Sequence, residues 1–388
     1  MNLAFEASEY SGRMERAQSA LTGSGLDALI VTAPENMCYL SGFSTPGYHV
    51  FQALVVRKKG EPFLVVRNIE EDNVRERAWV QRFHPINNLD RALPIFADAM
   101  KAEAADAGRI GVEVDGARQT ITRLDLLKEL MPRADFVPSL GLVDDLRAVK
   151  SPREVEYIAK AVELAESAIV AGAESIRSAA TDSDVAGAIH GQLARSGSEF
   201  TGSPPYVVGG LASARTHANH ARRTLGKNEH LWLEVAASVE RYHGVCGRIG
   251  GTSLSDDALR MFEASAAALK ALIETMRPGV ASGVVDAAGR AAAERFGAGR
   301  YWRNRAAYSL GLSFPPGLGE GHIIDIKPED PRPLRAGMIF HLIPILKVPG
   351  VGMIGCTETV MVTEAGGKRL GKLELAPLRP NVHQETLE

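Results

Sequence analysis

The chain has 388 residues, a formal net charge of −3, 45% hydrophobic residues and 23% charged residues. Such a length predicts two domains or more, with apolar material enough for their cores. The balanced charge carries no electrostatic footprint for nucleic acid or an anionic membrane surface, so neither is an expected partner.

The N-terminus, MNLAFEASEYSGRMERAQ, mixes acidic and basic residues and lacks the basic region and apolar core of a signal peptide. No apolar run is long enough for a transmembrane helix, and the expected location is the cytoplasm. Cys38, Cys246 and Cys356 are odd in number and lack C-x-x-C spacing, which argues against a disulfide framework or a cysteine-rich zinc site.

Residues 9–24 carry Met14, Ala17, Ala20 and Leu21 at helical spacing, and Gly23-Ser24-Gly25 stops the helix. A buried strand, a turn and a short element follow in DALIVTAPENMCYLSGF. ALVVRKKGEPFLVVR reads as a hairpin of two Val-rich strands. Helices are predicted near Ile69 to Ala78 and from Asp90 to Ala107. RIGVEV reads as a strand, TRLDLLKELMP as a helix and ADFVPS as a strand. Alternating strands and helices predict a layered α/β domain over residues 1–145. The boundary falls in LVDDLRAVKSP. Ser151, Pro152 and Glu154 then supply an N-cap, a first-turn proline and a capping-box acid for a helix reaching about Ile176.

The second domain, residues 150–388, contains an internal repeat. ESIRSAATDSDVAGAIHGQLARSG begins at Glu174 and ETMRPGVASGVVDAAGRAAAERFG at Glu274, an offset of 274 − 174 = 100 without gaps. Each copy reads as a helix end, a small-residue turn and a second helix, followed by strands. This predicts an α+β domain with pseudo-twofold halves and a site between those halves.

The stretch from Ser213 to Arg248 gathers His217, His220, His230, Glu234, Glu240 and His243 around the strand-like LWLEVAAS. Histidine exchanges protons near neutrality, and a nearby carboxylate can orient an imidazole or hold a cation. The competing reading is a hairpin with a polar edge and solvated histidines. Three later segments add polar groups. RNRAAYSLGLSFPPGLGEGHI is too rich in Gly and Pro for a regular helix and carries Tyr308, Glu320 and His322. LRAGMIFHLIPIL places His341 in a buried strand. GMIGCTETVMVTEAG places Glu358 among small and apolar residues, where a carboxylate needs a partner unless it faces solvent.

These segments carry a family resemblance. VDDLRAVKSPREVEYI, the 303–323 loop, AGMIFHLIP and TETVMVTEAG resemble the catalytic domain of the creatinase, prolidase and methionine aminopeptidase superfamily, the pita-bread fold. Residues 1–145 resemble the N-terminal domain of its creatinase and prolidase branch. The resemblance implies a homodimer, with Gly42 to Phe51 as a candidate lid from the same chain or its partner. In the superfamily's metallopeptidases two Asp, one His and two Glu hold two divalent ions. Here those positions carry Glu234, Val245, Tyr308, Ile343 and Glu358. Two carboxylates interrupted by Val and Ile do not make a dinuclear site, so no metal and no cofactor is expected.

What remains resembles the metal-free branch, the creatinases and especially the ectoine hydrolases. In that branch a histidine lies seventeen residues before the first ligand position, and 234 − 17 = 217 selects His217, with His220 as competitor. Creatinases carry a Glu where this chain has Gly247, and the aromatic that follows the histidine in ectoine hydrolases is absent. The resemblance implies a metal-independent hydrolase of a non-peptide C–N bond, with His217 and Glu358 catalytic. Glu234, Tyr308, His322, His341, His243 and Glu320 would bind substrate. A dipeptidase with a degenerate metal site and an inactive ligand-binding homologue are the alternatives.

Overall fold

The computed structural model of the chain describes residues 2–113, 124–226 and 228–380. The chain divides into two compact units, Met1–Arg147 and Ala148–Glu388.

The first unit is a six-stranded sheet flanked by helices. Its strands are β1 (Ala28–Val31), β2 (Ala53–Arg57), β3 (Phe63–Arg67), β4 (Phe83–Ile86), β5 (Gly108–Glu113) and β6 (Ala134–Ser139), in spatial order β4-β3-β2-β1-β5-β6. The helices are α1 (Ala7–Gly23), α2 (Pro34–Ser41), α3 (Glu71–Arg77), α4 (Ala92–Ala102), α5 (Leu124–Leu130) and α6 (Leu142–Arg147). The predicted hairpin is β2 and β3, whose Val-rich runs are buried. Strand β4 has no counterpart in the sequence reading. Its FHPI segment contains a proline, which a strand tolerates at a sheet edge, and β4 is an edge. Helix α4 is shorter than expected and stops before Ala104, whose φ of 52° breaks the helical path. Val114, Thr122 and Arg123, expected to end a strand and begin a helix, lie outside the described residues. The candidate lid is partly built into this unit. Phe43 is buried, and Phe51 packs edge-on against Phe96 with centroids 5.6 Å apart.

One buried carboxylate organises the start of α2. Glu113 Oε2 accepts from the Thr32 and Ala33 amides, and Oε1 accepts from Asn36 Nδ2. Asn36 Oδ1 in turn accepts from buried Arg147 at the end of α6. The first part of the expected boundary segment is therefore a helix anchored in this unit.

The second unit opens with α7 (Pro152–Ser175), begun by the predicted Ser151–Glu154 capping box. Its later elements are α8 (Asp182–Arg195), β7 (Tyr206–Gly209), β8 (Leu231–Val239), β9 (Tyr242–Gly250), α9 (Asp256–Thr275) and α10 (Ser282–Glu294). Then come β10 (Ala307–Ser309), β11 (Asp325–Ile326), β12 (Ile339–Leu342), β13 (Leu346–Val348), β14 (Gly352–Ile354), β15 (Glu358–Thr363) and β16 (Gly366–Arg369). The repeat is visible in the geometry. Helices α8 and α10 start 282 − 182 = 100 residues apart, and the preceding residues, Thr181 and Ala281, each make an isolated antiparallel bridge. Sheet β7-β8-β9 belongs to the first half and sheet β11-β10-β12-β15-β16 to the second. Strand β9 lies directly on α7: a Cβ at Gly244 would sit 2.2 Å from the Val162 amide nitrogen, so only glycine fits there. Among the described residues no helix is long and apolar enough to cross a membrane.

Candidate functional site

Strand alternation builds the site. In β8, Leu231, Leu233, Val235 and Ala237 point into the core with α7 and α8. Trp232 and Glu234 point the other way, into a cavity of about 740 Å³. Tyr206 and Val208 of β7 stand opposite Glu234 and Trp232 across the ladder and share that cavity face. The β8–β9 turn is Glu240-Arg241, with φ of 48° and 66°, the left-handed pair of a two-residue hairpin turn.

The second sheet contributes from β10 and β12. Tyr308 pairs with His341 in the ladder, so both side chains emerge on one face. Tyr308 Oη and His341 Nδ1 are 2.8 Å apart. His341 is fully buried, and its Nε2, which has no hydrogen-bond partner among the described residues, faces Glu234 Oε1 at 3.7 Å. That separation is too long for a hydrogen bond. Gly319 keeps the Tyr308 ring in place, since a Cβ there would come within 2.1 Å of it.

Burial sets the protonation states. His341 is pushed down to about 3 by burial and then by the charge of Arg305, so its imidazole is neutral at physiological pH. Burial likewise raises the Tyr308 hydroxyl well above its usual range. The Glu234 carboxyl is raised to about 7 by burial, which the Trp232 side chain only partly offsets. A neutral histidine between a phenol and a carboxyl can present its one N–H to either neighbour. The cluster can therefore hold a proton at Glu234 or release it near neutral pH, with the His341 tautomer adjusting.

The other expected site residues separate into two groups. His217 lines the cavity, with a φ of 57° and its ring stacked on Tyr206 at 6.1 Å. His220 does not line it and bonds instead to Asn219. His243, Glu320 and His322 were expected at the substrate but do not line the cavity either. His243 is a buried latch whose Nε2 accepts from the Gly202 amide while Nδ1 donates to the Arg241 carbonyl. Burial and Arg241 depress it to about 3, so it stays neutral. Glu320 is buried against Lys150, with Oε2 and Nζ 2.7 Å apart, and fastens the 313–323 loop from beneath. His322 is exposed on that loop.

Glu358, expected beside His217, is also absent from the cavity wall. It pairs with Leu342 across the ladder, one residue out of step with His341, and so leaves the sheet on the opposite face. There it meets Arg248 and Arg369. Arg248 Nη2 donates to Oε1, and Arg369 Nε donates to Oε2 at 3.1 Å. Arg248 also binds the carbonyls of Thr357, Leu373 and Glu374, tying down the segment after β16. Breaking such a buried pair costs about 3–5 kcal/mol.

The same geometry tests the two-ion site of the metallopeptidases. Val245 and Ile343 offer no donor atom, Tyr308 is engaged with His341, and Glu358 is engaged with two guanidinium groups. Among the described residues no three His, Cys, Asp or Glu side chains are grouped to hold a metal ion. The donor set does not fit a pair of divalent ions.

Several cavity residues were not foreseen. Trp232 and Tyr206 were legible in principle, because they share Glu234's side of the alternating pattern. Arg303 and Arg305 stand in a loop whose sequence does not say which way its side chains point.

Comparison with known proteins agrees with this architecture. Residues 13–149 match the creatinase/prolidase N-terminal domain, and residues 156–364 match metallopeptidase family M24. An ectoine hydrolase from Halomonas elongata is 26% identical, covering 95% of this chain and 97% of its own length. An Xaa-Pro dipeptidase from Pyrococcus furiosus is 23% identical, with coverage of 93% and 98%. The crystal structure of a prolidase from Thermococcus sibiricus superposes with a TM-score of 0.84 at 19% identity, covering 95% of this chain and 99% of its own, a likeness of fold. With more than half of its residues matching that family, this chain belongs to metallopeptidase family M24, a family of hydrolases, and carries a creatinase/prolidase N-terminal domain.

Proposed function

We propose that this protein is a hydrolase that opens a non-peptide C–N bond in a small amino-acid derivative, of the cyclic amidine kind, without a metal ion. The observation that carries this reading is Glu234, a cavity-lining carboxyl raised to about 7 and backed by the buried His341–Tyr308 pair. The relative named ectoine hydrolase supports the substrate class.

In this reading ionised Glu234 accepts a proton from water. The water oxygen bonds to the amidine carbon, and the C=N π pair moves onto nitrogen. Protonated His217, stacked on Tyr206, donates its proton to the leaving nitrogen as the C–N bond breaks; the added hydroxyl becomes the carbonyl and returns its proton to His217, and Glu234 gives its proton to the released amine. An amidinium carbon is already electrophilic and needs a facing carboxylate rather than a Lewis acid. His341, behind the cavity wall, and Tyr308, which lines the cavity, hold Glu234's proton state.

The relatives named Xaa-Pro dipeptidase support a second reading, dipeptide hydrolysis. A turnover screen of metal-stripped protein separates the two. The panel is ectoine, hydroxyectoine, creatine, related cyclic amidines and Xaa-Pro dipeptides. Turnover of an amidine in the presence of chelator is expected. Dipeptide turnover that returns only with added Mn²⁺ or Zn²⁺ overturns the proposal, and silence on the whole panel favours an inactive ligand-binding homologue.

A further inference from the structure

The reaction above uses Glu234, His217 and the pair behind them and leaves the cavity's cations without a task. The whole chain has 44 Lys and Arg against 47 Asp and Glu. The cavity wall inverts that balance: among the described residues it is lined by Arg215, Arg303, Arg305 and Lys347 and by one carboxylate, Glu234. Arg305 is held in place by Asp325, 3.0 and 3.1 Å from its two oxygens, with its guanidinium 4.8 Å from the Tyr308 ring centroid. Lys347 donates to Thr216 Oγ1. Arg303 differs from both, since its side chain has no hydrogen bond or ion pair with any described residue.

The backbone that presents Arg303 is nevertheless fixed. Arg290, gripped by buried Asp286, donates to the carbonyls on either side, Trp302 at 3.1 Å and Asn304 at 2.9 Å. Asn304 Nδ2 donates to the Ile343 carbonyl at 2.8 Å. An unpaired guanidinium on a braced segment therefore lines the cavity, and a second guanidinium, anchored over Tyr308, lines the same cavity. A guanidinium fork matches a carboxylate in two parallel hydrogen bonds.

We propose that Arg303, with Arg305 beside it, binds a carboxylate of the substrate, so that the molecule turned over carries a carboxylate as well as the C–N bond facing Glu234. The inference rests on the hydrolase reading only in calling that molecule a substrate.

Binding calorimetry on the full chain tests it with matched pairs, ectoine against its carboxamide and Ala-Pro against Ala-Pro-amide. Wild type is expected to bind the acid of at least one pair roughly tenfold or more tighter than the amide. In Arg303→Gln that preference is expected to fall to about twofold or less, with amide binding unchanged, and Arg303→Lys should keep only part of it. Arg303 is exposed, and matching thermal unfolding curves establish that the variants are folded. Equal binding of acid and amide by wild type, a full preference in Arg303→Gln, or no binding by any probe overturns the inference. Because the readout is binding, loss of the hydrolase reading through absent turnover leaves an acid preference standing. Turnover of both acid and amide with equal affinity removes the carboxylate site and leaves the hydrolase.

Discussion

Glu234 and Glu358 are the two carboxylates that the family resemblance sets at metallopeptidase ligand positions, and the fold treats them oppositely. Glu358 has a side chain 1% exposed, bonded to two guanidinium groups, in a network that also ties down the C-terminal segment. Glu234 is 14% exposed, forms no ion pair with a Lys or Arg among the described residues and faces a histidine too buried to become a cation. A carboxylate whose charge is matched holds structure together, because removing it strands the opposite charges. A carboxylate in a dry wall without a matching charge keeps its proton to higher pH, which prepares it for proton transfer. Sequence placed both at one site; local charge compensation separates them.

The comparison is broken most directly at Glu234. Glu234→Gln is expected to lower turnover of an amidine substrate by about 10²–10⁴-fold while unfolding at nearly the wild-type temperature. His217→Ala should lose a similar factor. The acid limb of the wild-type kcat/KM profile should rise as pH passes upward through about 7, because the base works ionised and burial has raised its pKa to that value, and the need for a protonated His217 ends that rise at higher pH. A flat profile, or a rise centred near 4, would show that Glu234 is not the base.

Next in size is the contrasting carboxylate. Glu358→Gln is expected to cost about 3–5 kcal/mol of stability, read from the denaturant midpoint, with turnover per folded molecule little changed. A variant of wild-type stability but no turnover would reverse the assignment of the two residues. The smallest effect is expected behind the site. Tyr308→Phe removes one hydrogen bond to His341 and should cost about 1 kcal/mol, roughly fivefold in kcat/KM, together with a shift in the pH midpoint. An unchanged midpoint would mean that the buried pair does not govern Glu234.

Much of the fold was legible because its signals are local. The capping box at Ser151–Glu154, the Val-rich hairpin of β2 and β3, and the repeat offset by 100 residues all follow from neighbouring residues or from periodicity. Of the expected site residues, His217, Glu234 and Tyr308 reach the cavity and His341 stands directly behind. His243, Glu320 and Glu358 stand away from the cavity wall for one shared reason. A buried polar residue must find a partner, and sequence does not say whether that partner is a substrate, a backbone amide, Lys150 or Arg248.

By itself, then, the sequence determined the class of fold, the repeat, the replacement by Val, Tyr and Ile of three of the five metal-ligand residues that the family resemblance implies, and the short list of titratable groups, since these depend on residue identity and spacing. Tertiary structure alone decided which of those groups share a cavity. Strand register sends His341 and Glu358 to opposite faces of one sheet although their strands are adjacent. Burial, which exists only after packing, turns an ordinary glutamate at position 234 into one poised near neutrality.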